Sequence, residues 1–211
     1  YVFPFFLVFV NSLKLKPEIL ANPLSFPTHI SWDNFQQALT KMNFFRSLTN
    51  SIIITVLSVS LLIVFSSMLA YYLARNKNKF TKYIFLILVT SMIVPFQALM
   101  IPFMARFAQF VSWNNRGALI FFYIGFGTAL STFLYHGFIS TIPTEIDEAA
   151  AIDGASDMTA FWKIIFPMMR PITATVAIIN ALWIWNDFLL PRLVLTNETQ
   201  TLPLSTYLFY G

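Results

Sequence analysis

Four long runs of mostly apolar residues dominate the sequence and restrict what it can fold into. A helix needs about 20 apolar residues to cross the hydrocarbon core of a bilayer. The predicted spans are residues 48–74, 83–104, 117–138 and 172–190. Backbone polar groups in lipid must be satisfied within the chain, so these spans are expected to be helices. The predicted fold class is all-α, a polytopic membrane protein.

Composition excludes several other classes of protein. The chain of 211 residues is 57% hydrophobic and 10% charged, whereas an average soluble domain carries about 25% charged residues. A soluble core of this size could not bury so much apolar surface. Basic residues are scattered without the aromatic-interleaved stripe of nucleic-acid binders, so no nucleic-acid partner is predicted. Cysteine is absent and the two histidines, His29 and His136, lie far apart, so no metal site is predicted.

The chain is divided by these spans into membrane and loop segments. Residues 1–10 are apolar but too short to span, and we interpret them as the outer end of a first spanning helix. Residues 11–47 form a predicted external segment, and residues 48–211 a transmembrane domain whose last span starts at about residue 204. The expected core therefore has six spans, the first and last of them cut short.

The density of basic residues predicts the orientation of the spans, because cytoplasmic loops are enriched in lysine and arginine. Four basic residues crowd one short loop with no acid nearby: Arg75, Lys77, Lys79 and Lys82. This loop and residues 139–171 are predicted to be cytoplasmic. The outward segments are then residues 11–47, 105–116 and 191–204. Membrane lipid is an expected partner of the basic loops.

Acidic residues are missing from a long part of the chain, since no aspartate or glutamate lies between Asn34 and Thr144. Ion-coupled carriers commonly place carboxylates within the membrane to bind the coupling ion. The sequence therefore argues against an ion-coupled secondary transporter. An intramembrane serine enzyme is a second alternative, but no G-x-S-x-G element accompanies His136, and no catalytic residue is predicted.

The loop at residues 139–171 predicts two short helices that meet at a glycine. Pro143 suits the first position of a helix, and Gly154 is a natural left-handed stop. Ser156 can cap a second helix, which Pro167 is expected to break before Pro171 opens the next span. Such a projection is shaped to enter a groove on a partner protein.

The same loop contains Glu148-Ala149-Ala150, Asp153-Gly154-Ala155, Pro167 and Pro171. At this spacing, these residues resemble the EAA loop of bacterial ABC importer permeases. Further matches to carbohydrate-type permeases, related to the smaller permease of the maltose system, run through the whole chain: Asn50-Ser51, Ala70-Tyr71, Val94-Pro95, Trp185-Asn186-Asp187-Phe188 and Thr201-Leu202-Pro203-Leu204.

The resemblance implies a function and a set of partners. It implies a multi-pass, non-catalytic permease subunit in the cytoplasmic membrane that imports a sugar or oligosaccharide. The implied partners are a second homologous permease, an ATPase dimer and an external solute-binding protein. It also implies that the loop docks into the ATPase through Glu148, Ala149, Ala150, Asp153, Gly154, Ala155, Phe161 and Pro167.

ATP chemistry is expected on a separate chain. A nucleotide phosphate loop needs the pattern G-x-x-x-x-G-K-[ST], and this pattern is absent from the sequence. No cofactor is predicted for this chain, and ATP and magnesium are expected on the partner ATPase. The cargo alternatives to a sugar are glycerol-phosphate, a polyol or another small polar solute.

Two features suggest where substrate passes. Asn180, Trp183 and Asp187 share one helical face, and polar groups are costly toward lipid. The alternative is that Asp187 caps the helix end and the tryptophan belongs to an interfacial belt. Pro95 and Pro102 are expected to kink their span, with Gln97 lining the bend.

Orientation can be tested in this cysteine-free chain by introducing single cysteines. We expect Lys79→Cys to be shielded from an impermeant thiol reagent added to intact cells, because the loop is cytoplasmic. A cysteine placed within residues 11–46 should react. Labelling of position 79 from outside would contradict the predicted orientation.

Overall fold

The computed structural model describes residues 1–111, 116–196 and 198–210, and these residues form helices joined by turns, without a strand. The helices are α1 (Phe3–Ser12), α2 (Lys16–Ala21), α3 (Asp33–Lys41), α4 (Phe44–Arg75), α5 (Lys79–Ser91), α6 (Phe96–Val111), α7 (Arg116–Ile139), α8 (Glu145–Ile152), α9 (Asp157–Ala160), a π-helix (Phe161–Ile165), α10 (Phe166–Met168), α11 (Arg170–Asn186), α12 (Leu189–Val194) and α13 (Leu202–Tyr210). The predicted all-α class is confirmed for the described residues.

Two helices are long and apolar enough to cross a membrane by themselves. These are α4, with 32 residues, and α7, with 24 residues. Two bent pairs raise the number to four if each pair counts as one span. In the first pair, α5 and α6 meet at a bend of 103°. In the second pair, the helical segment Asp157–Met168 and α11 meet at a bend of 77°.

The centre of the fold is the contact between α4 and α7. Small residues at helical spacing form the buried face of α4: Ser47, Ser51, Ser58, Ser66 and Ala70. Lipid tails are as apolar as leucine, so helices in a bilayer associate through close van der Waals packing, which small side chains allow. This face lets α7 lie close along α4.

Gly127 of α7 lies where α4, α7 and α11 come together. A Cβ atom added there would lie 2.7 Å from Leu62 Cδ1 and 3.1 Å from Asn180 Oδ1. Asn180 of α11 donates hydrogen bonds to Ser131 Oγ at 3.0 Å and to the Val176 carbonyl at 2.8 Å. Glycine therefore provides the close approach that the three-helix crossing requires.

Two apolar clusters lie along these helices, one toward each end of α4. One contains Ile54, Leu62, Phe122, Tyr123, Ile184 and Leu190, among others. The other contains Ala70, Ala74, Tyr135, Ile139, Phe161, Ile165 and Met169, among others. The second cluster joins the loop between α7 and α11 to the end of α4.

The second predicted span, residues 83–104, is not one continuous helix. Helix α5 ends at Ser91 and α6 begins at Phe96. Pro95 lies in the break. The helix is interrupted there because proline lacks a backbone N–H and disfavours helical geometry in the residue before it. The kink predicted at Pro95 is a sharp break, whereas Pro102 lies inside α6.

The fourth predicted span, residues 172–190, is also interrupted. Helix α11 ends at Asn186, and Asp187 has an extended backbone with φ −74° and ψ 131°. The Asp187 carboxylate accepts a hydrogen bond from the Leu189 backbone N–H at 3.0 Å. The chain continues after this interruption as the separate helix α12, so the predicted span is too long by its last four residues.

Smaller differences concern the segments that are predicted from the sequence to be external. Helix α4 begins at Phe44, inside the predicted external segment 11–47, after Asn43 in a left-handed conformation with φ 45°. Helix α13 begins at Leu202, two residues before the predicted start at 204. Within the predicted outer segment 105–116, residues 112–115 lie outside the described residues.

Adding a methyl group at Gly127 tests the three-helix crossing. We expect Gly127→Ala to lower the free energy of unfolding by about 1–2 kcal/mol relative to Gly137→Ala, because overpacking strains a filled core. Gly137 is the matched control, since it lies in the same helix and its added Cβ would meet no atom within 4 Å. Denaturant titration in detergent micelles measures both variants. Equal stability of the two would show that the crossing has room for a side chain.

Candidate functional site

The turn between α8 and α9 has the geometry predicted from its glycine. Gly154 has φ +81°, a left-handed conformation that non-glycine residues rarely adopt. Its N–H donates to the Ala151 carbonyl at 3.0 Å, and the Ala155 N–H donates to the Ala150 carbonyl at 2.9 Å. This pair of hydrogen bonds is a Schellman motif, which ends α8 and satisfies its last carbonyls.

The second arm of the loop begins with the predicted serine cap. Ser156 Oγ accepts a hydrogen bond from the Thr159 N–H at 3.3 Å. The helix then widens into the π-helix, where the Phe166 N–H donates to the Phe161 carbonyl five residues back. We name the projection formed by residues 145–168 the coupling hairpin.

The predicted break at Pro167 is wrong in position. Helical structure passes through Pro167 to Met168, and the chain turns at Met169, before α11 begins at Arg170. Pro167 lies in the first turn of α10, where a missing N–H is tolerated. Pro171 lies in the first turn of α11, as predicted, and Pro143 precedes α8, which begins at Glu145 and not at the proline.

The predicted coupling residues fall into two groups by exposure. Glu148, Ala149, Asp153 and Gly154 are exposed on the coupling hairpin, and Ala155 and Pro167 are half-buried. Ala150 and Phe161 are buried, at 4% and 2% exposure. The exposed residues are available to a partner, whereas the buried two support the hairpin from below.

The sequence interpretation missed the exposed apolar side chains of this hairpin. Ile152 is 86% exposed and Met158 is 53% exposed, one on each side of Gly154. An isoleucine at the end of an alanine-rich helix, directly before a turn, was the available signal. The hairpin therefore presents both charged and apolar groups outward.

Asp147 attaches the coupling hairpin to the end of α4. Its carboxylate accepts a hydrogen bond from the Tyr71 hydroxyl at 2.6 Å and forms an ion pair with Arg75 at 2.8 Å. The side chains of Arg75 and Asp147 are only 14% and 19% exposed. Arg75 also donates to the Ile142 carbonyl at 3.1 Å. Because this charged pair is shielded from water, removing one partner is expected to cost more stability than it would in a surface pair.

Apolar contacts reinforce this attachment. The Phe161 ring lies 5.1 Å from the Tyr71 ring, measured between centroids. Tyr71 therefore joins both the polar and the apolar contact. The sequence interpretation used Arg75 only as an orientation signal, and it missed the pairing of Arg75 with Asp147.

A cavity of 770 Å³ lies where the chain breaks between α5 and α6. Three of the residues predicted for the substrate pathway line it: Gln97, Trp183 and Asp187. Val94 and Phe96 also line it, on either side of Pro95. The Tyr123 hydroxyl donates to Asp187 Oδ2 at 2.9 Å, and the Tyr123 and Trp183 rings lie 5.5 Å apart, edge to face. The wall thus combines an aromatic surface with hydrogen-bonding groups.

Asn180 does not belong to this cavity. Its side chain is 2% exposed and points into the crossing of α4, α7 and α11. Asn180 and Trp183 lie one turn apart on α11, as predicted. Neighbouring helices cover Asn180, however, and keep it away from the cavity. Asp187 both lines the cavity and occupies the C-cap position of α11, so the pathway and capping interpretations are compatible. In the part of the chain that the structure describes, no cluster of three metal-ligating side chains occurs.

Removing the Asp147 carboxylate tests the attachment of the hairpin. We expect Asp147→Ala to lower the free energy of unfolding by about 2–3 kcal/mol, because it leaves the shielded Arg75 charge without its partner. Asp147→Asn keeps an acceptor for the Tyr71 hydroxyl and should cost less. The matched control is Glu198→Ala, which breaks the Arg46 ion pair between side chains that are 57% and 74% exposed. That change should cost less than about 1 kcal/mol. Similar losses in the Asp147 and Glu198 variants would contradict the assignment.

Comparisons with known proteins agree with this architecture. Residues 63–210 match the family described as the inner membrane component of binding-protein-dependent transport systems. The chain is 43% identical to a probable starch degradation products transport system permease of Thermoanaerobacterium thermosulfurigenes, covering 100% of this chain and 77% of the relative. It is 39% identical to a melibiose/raffinose/stachyose import permease of Bacillus subtilis, covering 99% and 76%.

A solved structure shows a similar fold over nearly the whole chain. A chain of a bacterial ABC transporter involved in the import of the acidic polysaccharide alginate superposes with a TM-score of 0.81 at 25% identity. The match covers 99% of this chain and 73% of that chain. The matched family and the relatives that align with nearly the whole of this chain together show which family it belongs to. This chain belongs to the family of inner membrane components of binding-protein-dependent transport systems.

Proposed function

We propose that this chain is one of two permease subunits in an ATP-driven importer of a sugar or oligosaccharide. The observation that carries the proposal is the coupling hairpin, which is exposed at Glu148 and Asp153 and attached to α4 through Asp147. A membrane helix bundle that projects such a hairpin can receive motion from a partner at its surface. The partners of the proposed assembly are a second permease, an ATPase dimer and an external solute-binding protein.

Helix α4 transmits the motion of the hairpin across the bundle. Its 32 residues form one continuous helix, about 48 Å long at 1.5 Å per residue. At the end away from the hairpin, Asn50 donates to the Gln200 carbonyl at 2.9 Å and Ser51 accepts from the Leu202 N–H at 2.8 Å. A displacement at Arg75 therefore reaches the start of α13 through a rigid element.

ATP is hydrolysed on the partner in this proposal. The chain has no phosphate-loop sequence, and the hairpin offers carboxylates and apolar side chains to a protein surface rather than a nucleotide site. ATP and magnesium bind to the separate ATPase chain. The helices α4 and α7, with the two bent pairs, support a multi-pass arrangement in the cytoplasmic membrane.

A carbohydrate is the proposed cargo. The names of the relatives refer to starch degradation products and to melibiose, raffinose and stachyose, and the solved structure concerns alginate import. In the 770 Å³ cavity, Trp183 offers an aromatic surface for a sugar ring, and Gln97 and Asp187 offer hydrogen bonds to hydroxyl groups. The described lining contains no lysine or arginine, which disfavours glycerol-phosphate as the alternative cargo.

Changing Gly154 tests the coupling role of the hairpin. Proline fixes φ near −65° and lacks the N–H that Gly154 donates to Ala151, so Gly154→Pro should dismantle the turn. We expect a chain that inserts normally, captures little ATPase and transports less than about a tenth of the wild-type amount of oligosaccharide. Gly154→Asn is the matched control, because asparagine tolerates the left-handed conformation, and it should retain most transport. Glu148→Ala should have a milder effect than proline.

The measurement is co-purification of the ATPase and uptake of labelled oligosaccharide in the same cells. Equal membrane levels of the variants establish that insertion is unaffected. Normal ATPase capture together with normal uptake by Gly154→Pro would contradict the proposed function. If Gly154→Asn also lost ATPase capture and oligosaccharide uptake, the site would need glycine for space and not for its backbone conformation.

A further inference from the structure

A second cavity, distinct from the one near Trp183, opens at the hairpin end of the bundle between α4, α5 and α7. Its volume is 470 Å³, within the range of about 300–1,000 Å³ typical of small-molecule sites. Lys77, Lys79 and Lys82 line it together with His136, and its described lining contains no carboxylate. We propose that this cavity binds the headgroup of an anionic phospholipid.

The positive charge of the cavity is not neutralised within the described part of the chain. The ion pairs there are Arg75 with Asp147 and Arg46 with Glu198, and neither involves one of the three lysines. The nearby Asp147 carboxylate is already occupied by Arg75 and Tyr71. Three lysines without a counter-ion around one concave surface attract a phosphate group.

The start of α5 adds to this attraction. Asn78 caps the helix by accepting a hydrogen bond from the Thr81 N–H at 2.9 Å, so the N-terminal turn is fixed in place at the cavity wall. The N-terminus of a helix carries a partial positive charge that favours anions. The 13 residues of α5 therefore point their positive end toward the same space as the lysines.

Apolar surface next to the cavity distinguishes a lipid from a free phosphate ion. Leu73 and Phe85 form part of the cavity wall. Phe80, Tyr83 and Ile87 follow on one face of α5 and are 68%, 64% and 68% exposed. Lysines at the membrane edge beside an exposed apolar helix face match a headgroup and its acyl chains. A free phosphate ion would use only the charged part of this surface.

The orientation predicted from basic residues places the cavity at the cytoplasmic leaflet. Anionic lipids give that leaflet a negative surface potential, and each nearby lysine contributes about 1 kcal/mol to the attraction. This corresponds to about a fivefold change in affinity per lysine. Two of the three lysines, Lys79 and Lys82, belong to α5 itself, so a bound headgroup would hold the start of this helix against α4 and α7.

Native mass spectrometry of the assembled importer, purified through a tag on this chain, tests the proposal. The importer is titrated with phosphatidylglycerol and, separately, with phosphatidylcholine. We expect one phosphatidylglycerol site per copy of the chain, filled in preference to phosphatidylcholine. The triple variant Lys77→Gln/Lys79→Gln/Lys82→Gln should weaken phosphatidylglycerol binding by at least about tenfold. The charge-preserving triple variant with arginine should bind as the wild type does.

A control variant removes the same number of charges elsewhere: Lys16→Gln/Lys41→Gln/Arg46→Gln. It should leave the phosphatidylglycerol affinity unchanged, because none of these residues lines the cavity. If the cavity triple variant does not assemble, the three single variants replace it, and each should weaken binding about fivefold. Wild-type affinity in the lysine variants would overturn the proposal. Displacement of phosphatidylglycerol by millimolar inorganic phosphate would overturn the lipid as the ligand.

Discussion

The close contact between α4 and α7 is the interaction on which the rest of the structure depends. Serine and alanine on one face of α4 and Gly127 on α7 bring the two backbones together, and Asn180 joins α11 to them. In lipid this contact gains nothing from expulsion of water, so shape carries the stability. Once α4 and α7 are fixed, their ends place the coupling hairpin at one side of the bundle and the start of α13 at the other.

The coupling hairpin depends on α4 in two physically different ways. Phe161 packs on the Tyr71 ring, which is a contact that tolerates small displacements. The Asp147 ion pair with Arg75 is electrostatic, and its loss would leave a charge in a poorly hydrated position. Since Tyr71 takes part in both, the last turn of α4 must move with the hairpin. A partner that displaces the hairpin therefore acts on the central helix of the fold.

The parts of this architecture that depend on local chemistry could be predicted from sequence. The left-handed turn at Gly154 and the cap at Ser156 follow from the preferences of single residues. The break at Pro95 was predicted only as a kink, because its angle depends on how α5 and α6 pack. The burial of Asn180 and the pairing of Asp147 with Arg75 depend on helices distant in sequence, and no local pattern reports which of them will be neighbours.

The π-helix at Phe161–Ile165 lets the coupling hairpin contain one extra residue without changing the direction of its faces. A π turn closes its hydrogen bonds over five residues instead of four, and so holds one more residue than an α turn. In an α-helix, that extra residue would rotate everything before it by about 100°. The wide turn takes up the residue without this rotation. The faces of the hairpin therefore keep their direction, although this turn contains one more residue than an α-helical turn would.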